Sequence, residues 1–386
     1  MSFAREFERA EAIESAMNHV EPAYSRQQVD AAGDLIIDPP PLKDFNLSND
    51  WSADDFENMI RVQEAYDTVY NFRSSHSFPL NTFQTTLRDK AHKEDPNCIV
   101  AQRIKRLPTI IAKLSRRKFK LTEIQDIGGC RAVLSSVRRV RRLVKIYKES
   151  DLKHALIGEN DYIKNPKVTG YRGYHLIYSY YSDKKQTYNG LKIEMQFRTS
   201  LQHAWATAVE TVGIFTGQAL KSNQGNRKWK RFFALMGSAM ALRERSPLVP
   251  NTPHDPATLK ADIRRYVDNI GVIEHLRLFN AVLKHSETKS IEGAHYFLLK
   301  LLPKENRIVI EGFKSADLAS AQERYREVER EISAAAGDDV VLVSTSSMSA
   351  LRRAYPNYFL DTRAFMIAVN EALKDEPTVV KEAALS

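Results

Sequence analysis

The spacing of apolar side chains predicts helices along the first part of the chain. Ser52 and Asp55 have the spacing of an N-terminal helix cap, and apolar residues recur every three to four positions after them. Segment 100–119 has the same period and predicts another helix, which ends in a basic cluster. Residues 1–98 are therefore interpreted as an N-terminal helical region.

Near residue 130 the pattern changes to an alternation of apolar and polar positions, which is typical of strands. Three segments are predicted strands: 131–134, 174–181 and 191–199. A basic amphipathic helix is predicted over 137–148, and helical spacing returns after residue 200. Residues 99–245 are therefore predicted to form a mixed sheet flanked by helices.

Prolines between Pro247 and Pro256 interrupt the helical pattern and mark a predicted domain border. Residues 246–290 are assigned to this linker and to a helix over 257–285. Beyond Gly293 the pattern predicts a hairpin, a helix, a strand and two further helices, which indicates a separate unit over 291–378. The predicted fold class is α+β, with a mixed-sheet core and a second, smaller α+β C-terminal domain.

The composition fits a globular protein, because 43% of the 386 residues are hydrophobic and 27% are charged. No apolar run approaches the ~20 residues of a membrane helix. The N-terminal segment has acidic residues and lacks the apolar stretch of a secretory signal. We therefore expect a cytoplasmic protein with no membrane partner. Two cysteines, Cys98 and Cys130, are too few for a disulfide framework or a cysteine-built zinc site.

The formal net charge is +9, and the excess is local. Residues 101–150 contain 15 Lys or Arg and three acids. Such a run is either a solvated helix face or a surface for the phosphates of a nucleotide or an RNA. Both interpretations stay open for the helix over 137–148. A docked RNA is expected to contact the basic cluster Arg116, Arg117 and Lys118 together with the helix over Arg138–Lys148.

Polar residues alternate along the predicted strand 191–199, so Lys192, Glu194, Gln196 and Arg198 share one face. This face is either the wet side of an antiparallel sheet or the floor of a cleft with one acid among cations. Asp126, before a Gly-Gly pair, is either a turn residue or a second acid. Two carboxylates beside cations would suit Mg²⁺ held with the phosphates of a nucleotide.

Glycines punctuate the basic and aromatic loop over 164–175. Tyr171 is a candidate for stacking on a base, and Lys167, Arg172 and His175 are candidates for binding phosphates. The alternative is an ordinary glycine-rich connection with surface cations. The loop matches neither the GxxxxGK nor the GxGxxG phosphate-binding pattern.

Four motifs follow one another between residues 103 and 206. They are RIK at 103–105 with Lys113, DIGGCR at 126–131, DYIKNPKVTGYRGYH at 161–175, and EMQFRT at 194–199 followed by HAWA at 203–206. In this order and spacing they resemble the RelA/SpoT alarmone synthetase family. The resemblance implies a nucleotidyltransferase-like core that transfers pyrophosphate from ATP to a ribose 3′-hydroxyl with Mg²⁺.

The resemblance also implies a role for each matching residue. Arg103 and Arg131 would enclose the adenine, while the phosphates of ATP would be held by Lys105, Lys113, Lys167, Arg172 and His175. Asp126 and Glu194 would hold the metal, Glu194 would alternatively take the proton of the acceptor, and Gln196 would orient them. Tyr171 would stack on the acceptor base. Positioned cations and one base are what phosphoryl transfer requires.

Two departures from the family pattern bear on the acceptor. Gly173 stands where the family's GYRS has Ser, and residues 106–109 replace a Ser-Pro-x-Ser segment. An alarmone hydrolase needs a His-Asp pair on a helix with further His ligands. The one such pair in the sequence, His254-Asp255, lies in the proline-rich linker. The transferase activity is therefore expected to be unopposed within the chain.

The C-terminal unit contains a YxxY element at Tyr355 and Tyr358. It resembles the neutralising motif of fused toxin–antitoxin synthetases of the CapRel-like branch, in which a C-terminal pseudo-zinc-finger domain restrains the toxin. That resemblance implies pyrophosphorylation of the 3′ end of tRNA, autoinhibition by the two tyrosines, and release by a phage protein. The alternative is a pair of aromatic core residues.

Three functions are therefore considered. The first is an autoinhibited anti-phage toxin that modifies tRNA and blocks translation. The second is a synthetase that makes (p)ppGpp or a related nucleotide from ATP and GDP or GTP. The third, a degenerate nucleotide-binding regulator, is disfavoured because Asp126 and Glu194 are both present. On the first hypothesis, truncation before Gly293 should release the toxin.

Overall fold

The computed structural model of the protein describes residues 19–41, 52–116, 119–216, 227–282, 285–289, 292–302, 305, 307–331, 338–344, 348–356, 358–359 and 361–374. By its contacts the chain divides into two compact units. The first comprises Met1–Asp161, Gly173–Thr199 and Leu283–Phe359, and the second comprises Tyr162–Arg172, Ser200–Val282 and Leu360–Ser386.

The described part of the chain contains both helices and strands. The helices are α1 (Arg26–Ile37), α2 (Ala53–Ser75), α3 (Ser77–Glu94), α4 (Leu107–Leu114), α5 (Val137–Lys148), α6 (Ser200–Thr216), α7 (Arg227–Arg243), α8 (Pro256–Ile270), α9 (Val272–Val282), α10 (Leu318–Glu331), α11 (Met348–Ala354) and α12 (Arg363–Leu373). The strands are β1 (Ile99–Ile104), β2 (Gly128–Leu134), β3 (Ala155–Asp161), β4 (Tyr174–Ser179), β5 (Lys192–Thr199), β6 (His285–Lys289), β7 (Tyr296–Leu302), β8 (Arg307–Phe313) and β9 (Asp339–Ser344).

All nine strands of the described residues form one sheet in the first unit, in the order β3–β4–β5–β2–β1–β9–β7–β8–β6. The β2–β5 and β6–β8 pairs are parallel and the other pairs are antiparallel. This mixed sheet with its flanking helices confirms the predicted α+β class.

The C-terminal strands continue the sheet of the synthetase-like segment instead of forming a sheet of their own. β9 pairs with β1, with Arg103 opposite Val343. Contacts therefore group residues 283–359 with the first unit. The domain borders predicted after residues 98, 245 and 290 stay a prediction.

The single helix expected over 100–119 is wrong at its start, where residues 100–104 belong to strand β1. Hydrogen bonds to β2 on one side and β9 on the other stabilise the extended backbone there. Helix α4 begins only at Leu107, and Pro108 lies in its first turn, where a missing N–H is tolerated. The helix expected over 257–285 is divided at Gly271, which has the left-handed φ of +66° that favours glycine.

The second unit has its own apolar core, built from residues of α6, α7, α8, α9 and α12. Trp205, Phe232, Phe233, Ile263 and Phe365 are all buried there. The helical spacing after residue 200 is thereby confirmed as a core-facing stripe. Among the described residues, no helix is long and apolar enough to span a membrane.

Candidate active site

Strand register brings five predicted site residues into two adjacent rows on one face of the sheet. Arg131 on β2 is opposite Gln196 on β5, which is in turn opposite His175 on β4. In the next row, Gly129 lies between Arg103 on β1 and Glu194 on β5. Residues paired across a sheet share a face, so Arg103 on β1 and Arg131 on β2 lie on the same face as Glu194 on β5. Gly129 leaves no side chain between Arg103 and Glu194.

Hydrogen bonds fix both carboxylate oxygens of Glu194. His175 Nδ1 lies 2.8 Å from Oε1, and Gln196 donates from Nε2 to Oε2 at 2.6 Å. Arg198 Nη2 in turn donates to the Gln196 carbonyl at 2.7 Å, which sets the orientation of that amide. Burial acts to raise the pKa of Glu194, but the His175 ring and the Gln196 amide outweigh it, so the net pKa lies below its usual value. Glu194 is therefore an oriented, ionised carboxylate.

Asp126 lies in the segment before β2, between two ammonium groups. Lys105 Nζ is 2.6 Å from Oδ2, and Lys113 Nζ is 3.0 Å from Oδ1. Burial acts to raise the pKa of Asp126, but the two lysines outweigh it and lower the pKa to about 2. Burial also lowers the pKa of the Lys105 ammonium, because the attraction of Asp126 does not fully offset its desolvation. The RIK and DIGGCR motifs thus meet at a charged cluster with one acid and two cations.

Tyr355, in the residue after α11, lies over the arginine end of the polar face. The Arg131 guanidinium is 5.4 Å from the centroid of the Tyr355 ring. The Tyr355 hydroxyl donates to the backbone carbonyl of Gln102 at 2.6 Å. Burial raises the pKa of Tyr355 to about 12 against the opposing charges of Arg131 and Arg103. The ring is therefore close to both arginines that the resemblance assigns to adenine. Tyr358 is buried as well.

Three loop residues of the predicted site, Lys167, Tyr171 and Arg172, belong to the second unit. Lys167 Nζ lies 4.3 Å from the Tyr162 ring centroid and 5.5 Å from that of Tyr171. Tyr171 also makes an edge contact with Trp205 at 6.2 Å. The basic and aromatic side chains therefore form one cluster, and their contacts with a substrate stay a prediction.

Arg172 differs from its neighbours, because its guanidinium is buried in an ion pair with Glu244 at 2.7 Å. Close backbone packing holds this part of the loop. Gly170 has a φ of +97°, and a Cβ atom there would lie 2.6 Å from the carbonyl oxygen of Phe233. The glycine is thus required by both conformation and space. The phosphate contact predicted for Arg172 stays untested.

The basic helix α5 is largely balanced by local acids. Five of its cations pair with carboxylates, namely Arg139 with Asp95, Arg141 with Asp161, Arg142 with Glu94, Lys145 with Glu149 and Lys148 with Glu159. The solvated-face interpretation is thus favoured for α5. Arg116 is exposed, while Arg117 and Lys118 lie outside the described residues.

The described residues contain no group of three or more His, Cys, Asp or Glu side chains placed to hold a metal ion by themselves. Asp126 and Glu194 nevertheless supply two hard oxygen ligands, and the charge of Asp126 acts on the pKa of Glu194. Mg²⁺ is commonly bound by one or two carboxylates together with substrate phosphates. This donor set therefore fits Mg²⁺ held jointly with a nucleotide.

Sequence reasoning did not single out Gln102, Arg73 or Glu329. The Gln102 carbonyl accepts a hydrogen bond from the Tyr355 hydroxyl, and Arg73 pairs with Glu329 across a sequence separation of 256 residues. An Arg and a Glu so far apart share no local pattern. For strand β1, the one sequence signal against a helix was Pro108, which interrupts the helical spacing.

Residues 102–214 match the family model of a region found in RelA / SpoT proteins. Two curated relatives are the GTP pyrophosphokinases YwaC and YjbM of Bacillus subtilis, which are 30% identical over 123 residues and 33% identical over 128 residues. These matches cover 30% and 32% of this chain, and the chain spans 58% and 59% of the lengths of the two relatives.

The small alarmone synthetase 1 from Bacillus subtilis, solved bound to its product pppGpp, is 21% identical, with a TM-score of 0.39 over 47% of this chain and 93% of that chain. The predicted resemblance is confirmed by the family model and the curated relatives: the chain contains a RelA/SpoT region that is homologous to GTP pyrophosphokinases. The assignment to the CapRel-like branch stays a prediction.

Proposed function

We propose that the protein is an ATP-dependent pyrophosphokinase that is restrained by its own C-terminal segment. In the reaction, a ribose 3′-hydroxyl oxygen attacks the β-phosphorus of ATP. The bond between that phosphorus and the oxygen of the α-phosphate breaks, AMP leaves, and the hydroxyl proton passes to a base. The observation that carries this proposal is the pair of rows on the sheet face, which joins two arginines to an oriented carboxylate.

The predicted site residues of the first unit have the following roles in this proposal. Arg103 and Arg131 receive the adenine ring, while Lys105 and Lys113 exchange their contacts with Asp126 for the phosphates. Glu194 accepts the proton, because His175 and Gln196 keep it ionised and oriented. Asp126 would hold Mg²⁺, which neutralises charge on the transferred phosphates when it is bound, and Glu194 would share the metal as the alternative to its role as base.

The acceptor proposed first is the 3′ end of tRNA, and the outcome is a block of translation in anti-phage defence. The net charge of +9 and the YxxY element support it. The second candidate is synthesis of (p)ppGpp or a related nucleotide, with GDP or GTP as acceptor. The names of the two curated relatives, both GTP pyrophosphokinases, favour that candidate.

Autoinhibition is proposed to act on the donor side of the site. The Tyr355 ring lies against Arg131, one of the two arginines proposed to receive adenine. An aromatic ring at that place competes with the base of ATP. A phage protein that binds the C-terminal segment better when Tyr355 is withdrawn would shift the population toward the active state.

The test uses purified wild type and Tyr355→Ala with ATP labelled in the β-phosphate. Each protein is incubated with bulk tRNA or with GDP and GTP, and label transfer is measured. Label in tRNA supports the toxin, and label in guanine nucleotide supports the alarmone synthetase. Absence of AMP release by Tyr355→Ala with every acceptor would reject the pyrophosphokinase. Glu194→Gln in the same background is the control for contaminating activity.

A further inference from the structure

The segment 105–107 joins β1 to α4 and controls the position of two proposed phosphate-binding lysines. Lys105 is its first residue, and Lys113 lies in the last turn of the helix that the segment starts. Both ammonium groups contact Asp126. The Lys105 amide also donates to the carbonyl of Ile127 at 2.8 Å, beside Asp126. Any shift of this segment therefore moves both lysines.

Arg73, near the end of α2, and Glu329, near the end of α10, hold this segment from two sides. Arg73 Nε donates to the Lys105 carbonyl at 3.1 Å. Its Nη1 and Nη2 donate to the two carboxylate oxygens of Glu329 at 2.8 and 3.2 Å. Arg73 is 2% exposed and Glu329 is 9% exposed. The pair is therefore desolvated and bidentate, which gives it a defined geometry.

Glu329 also completes the N-terminus of α4. The first amides of a helix lack intrahelical partners, and Arg106, at the N-cap position, makes no capping hydrogen bond with its side chain. The Leu107 amide instead donates to Glu329 Oε1 at 2.9 Å. Pro108 has no amide hydrogen, and the next two amides bond to the Arg106 carbonyl. The carboxylate of Glu329, although distant in sequence, thus replaces the missing local cap. Its negative charge also interacts favourably with the dipole of α4.

Two further contacts join the same segment to the C-terminal residues. Arg106 forms an ion pair with Asp339, the first residue of β9. The end of β1 pairs with β9 at Gln102 and Arg103. The backbone around Lys105 is therefore enclosed on several sides by residues that follow Leu318 in the chain.

We propose that Glu329, acting with Arg73, is a positioning residue for the ATP site. This inference rests on the proposed pyrophosphokinase function and deepens it. The C-terminal residues of the first unit, 283–359, carry Tyr355, which restrains the enzyme. The same residues include Glu329, whose carboxylate orders Lys105 and Lys113. Helix α10 and strand β9 must then stay in place when Tyr355 is withdrawn. Activation is accordingly a local movement around α11 and not a release of the whole C-terminal part.

The experiment is made in a Tyr355→Ala background, so that the ring does not compete with ATP. Replacing one partner alone would leave a buried charge unpaired and risks unfolding. The test variant is therefore Arg73→Met with Glu329→Met, because two apolar side chains of similar length often preserve stability at such a site. ATP affinity is measured by calorimetry, and transfer kinetics are measured with labelled ATP.

We expect affinity for ATP to weaken roughly ten- to a hundredfold in the double variant, because displaced lysines lose hydrogen bonds to charged phosphates and such bonds contribute about that much to affinity. The weaker binding should raise the KM for ATP. A loss of folded protein would instead lower the apparent kcat and leave KM unchanged. Glu329→Asp keeps the charge that pairs with Arg73 and shortens only the reach to the Leu107 amide, so it should show a smaller loss. If the double variant does not fold, this variant takes its place.

Arg324→Gln is the matched control, because Arg324 lies on the same helix and pairs with Glu311 away from the segment. ATP affinity and KM of the double variant equal to those of the Tyr355→Ala parent would overturn the proposal. For Glu329→Asp, taken alone, unchanged KM would do the same. Failure of the parent to bind ATP would instead reject the proposed function. A parent that binds ATP and transfers nothing rejects the reaction, while the calorimetric series still decides the role of Glu329.

Discussion

The guanidinium of Arg131 lies 5.4 Å from the ring centroid of Tyr355, although one residue is on β2 and the other follows α11. A neighbouring bond strengthens this contact, because Arg131 Nη2 donates to the carbonyl of Ala354. The Tyr355 hydroxyl is bound to Gln102, the residue before Arg103. The tyrosine therefore joins the two strands that carry the arginines proposed for adenine.

Removing the Tyr355 ring should activate the enzyme. Tyr355→Ala deletes a cation–π contact of about 0.5–2 kcal/mol and clears the surface of Arg131. We expect faster pyrophosphate transfer in vitro and stronger growth inhibition in cells. Tyr355→Phe keeps the ring and removes only the bond to Gln102, so it should stay mostly restrained. If Tyr355→Ala and Tyr358→Ala were each no more toxic than wild type, autoinhibition by these tyrosines would be rejected.

The two acids should be indispensable for transfer. Glu194→Gln and Asp126→Asn remove a base or a metal ligand while keeping the shape of the side chain, and the rate should fall at least about 100-fold. Circular dichroism should show an unchanged fold. Glu159→Gln is the control, since Glu159 lies on β3, another strand of the same sheet, and pairs with Lys148 on α5. Turnover of Glu194→Gln at the wild-type rate would contradict the assignment of the site.

Activity on tRNA should depend steeply on salt, because each bound phosphate releases counterions. Charge reversal of Arg116 together with Arg117 should weaken tRNA modification and reduce the slope against salt by about 1 for each phosphate that is no longer bound. ATP affinity should not change. Lys145→Glu, on α5, is the comparison variant, because Lys145 pairs with Glu149 in the same helix region. Unchanged tRNA modification at physiological salt would assign Arg116 to an ordinary solvated surface.

Stability should decline in mild acid because of two buried histidines. Burial lowers the pKa of His76 and of His154 to about 4. In the unfolded chain each ring takes up a proton near its usual value of 6.5. Between these values the unfolded state binds more protons, so the free energy of unfolding falls as the pH is lowered. The loss should be about 2 kcal/mol per ring at pH 5.

Denaturant unfolding at pH 7 and pH 5 measures this loss directly. His76→Gln, which keeps a donor for the Phe72 carbonyl, should remove about half of the pH dependence. His154 is held differently, since the Tyr181 amide donates to its Nδ1 at 3.1 Å. Protonation at Nδ1 would break that bond. Equal stability at the two pH values would show that neither ring stays neutral in the folded state.

Truncation before Gly293 should now give a harmless protein. The sequence alone predicted release of the toxin, but the cut removes β9 from the edge of β1 and Glu329 from α4. Tyr355→Ala in the full chain is the matched comparison, because it removes the restraint and keeps those contacts. A truncated protein that is folded and more toxic than Tyr355→Ala would contradict the positioning role of the C-terminal segment.

The sequence by itself determined the local geometry of the candidate site. A strand places alternate side chains on one face, so the pattern of β5 was sufficient to put Glu194, Gln196 and Arg198 together. The order of the motifs was sufficient to indicate the RelA/SpoT region. Helix α5 was predicted with the bounds that the structure has, because its apolar and basic positions follow the helical period closely.

Only the tertiary structure decided what lies against that face. Segment 99–104 is a strand because β2 and β9 pair with it, and its own apolar spacing is compatible with a helix. The contacts of Tyr355 with Arg131 and of Glu329 with Arg73 join distant parts of the chain. Neither contact follows from a repeat or a propensity, since both depend on which edge of the sheet the C-terminal strands extend.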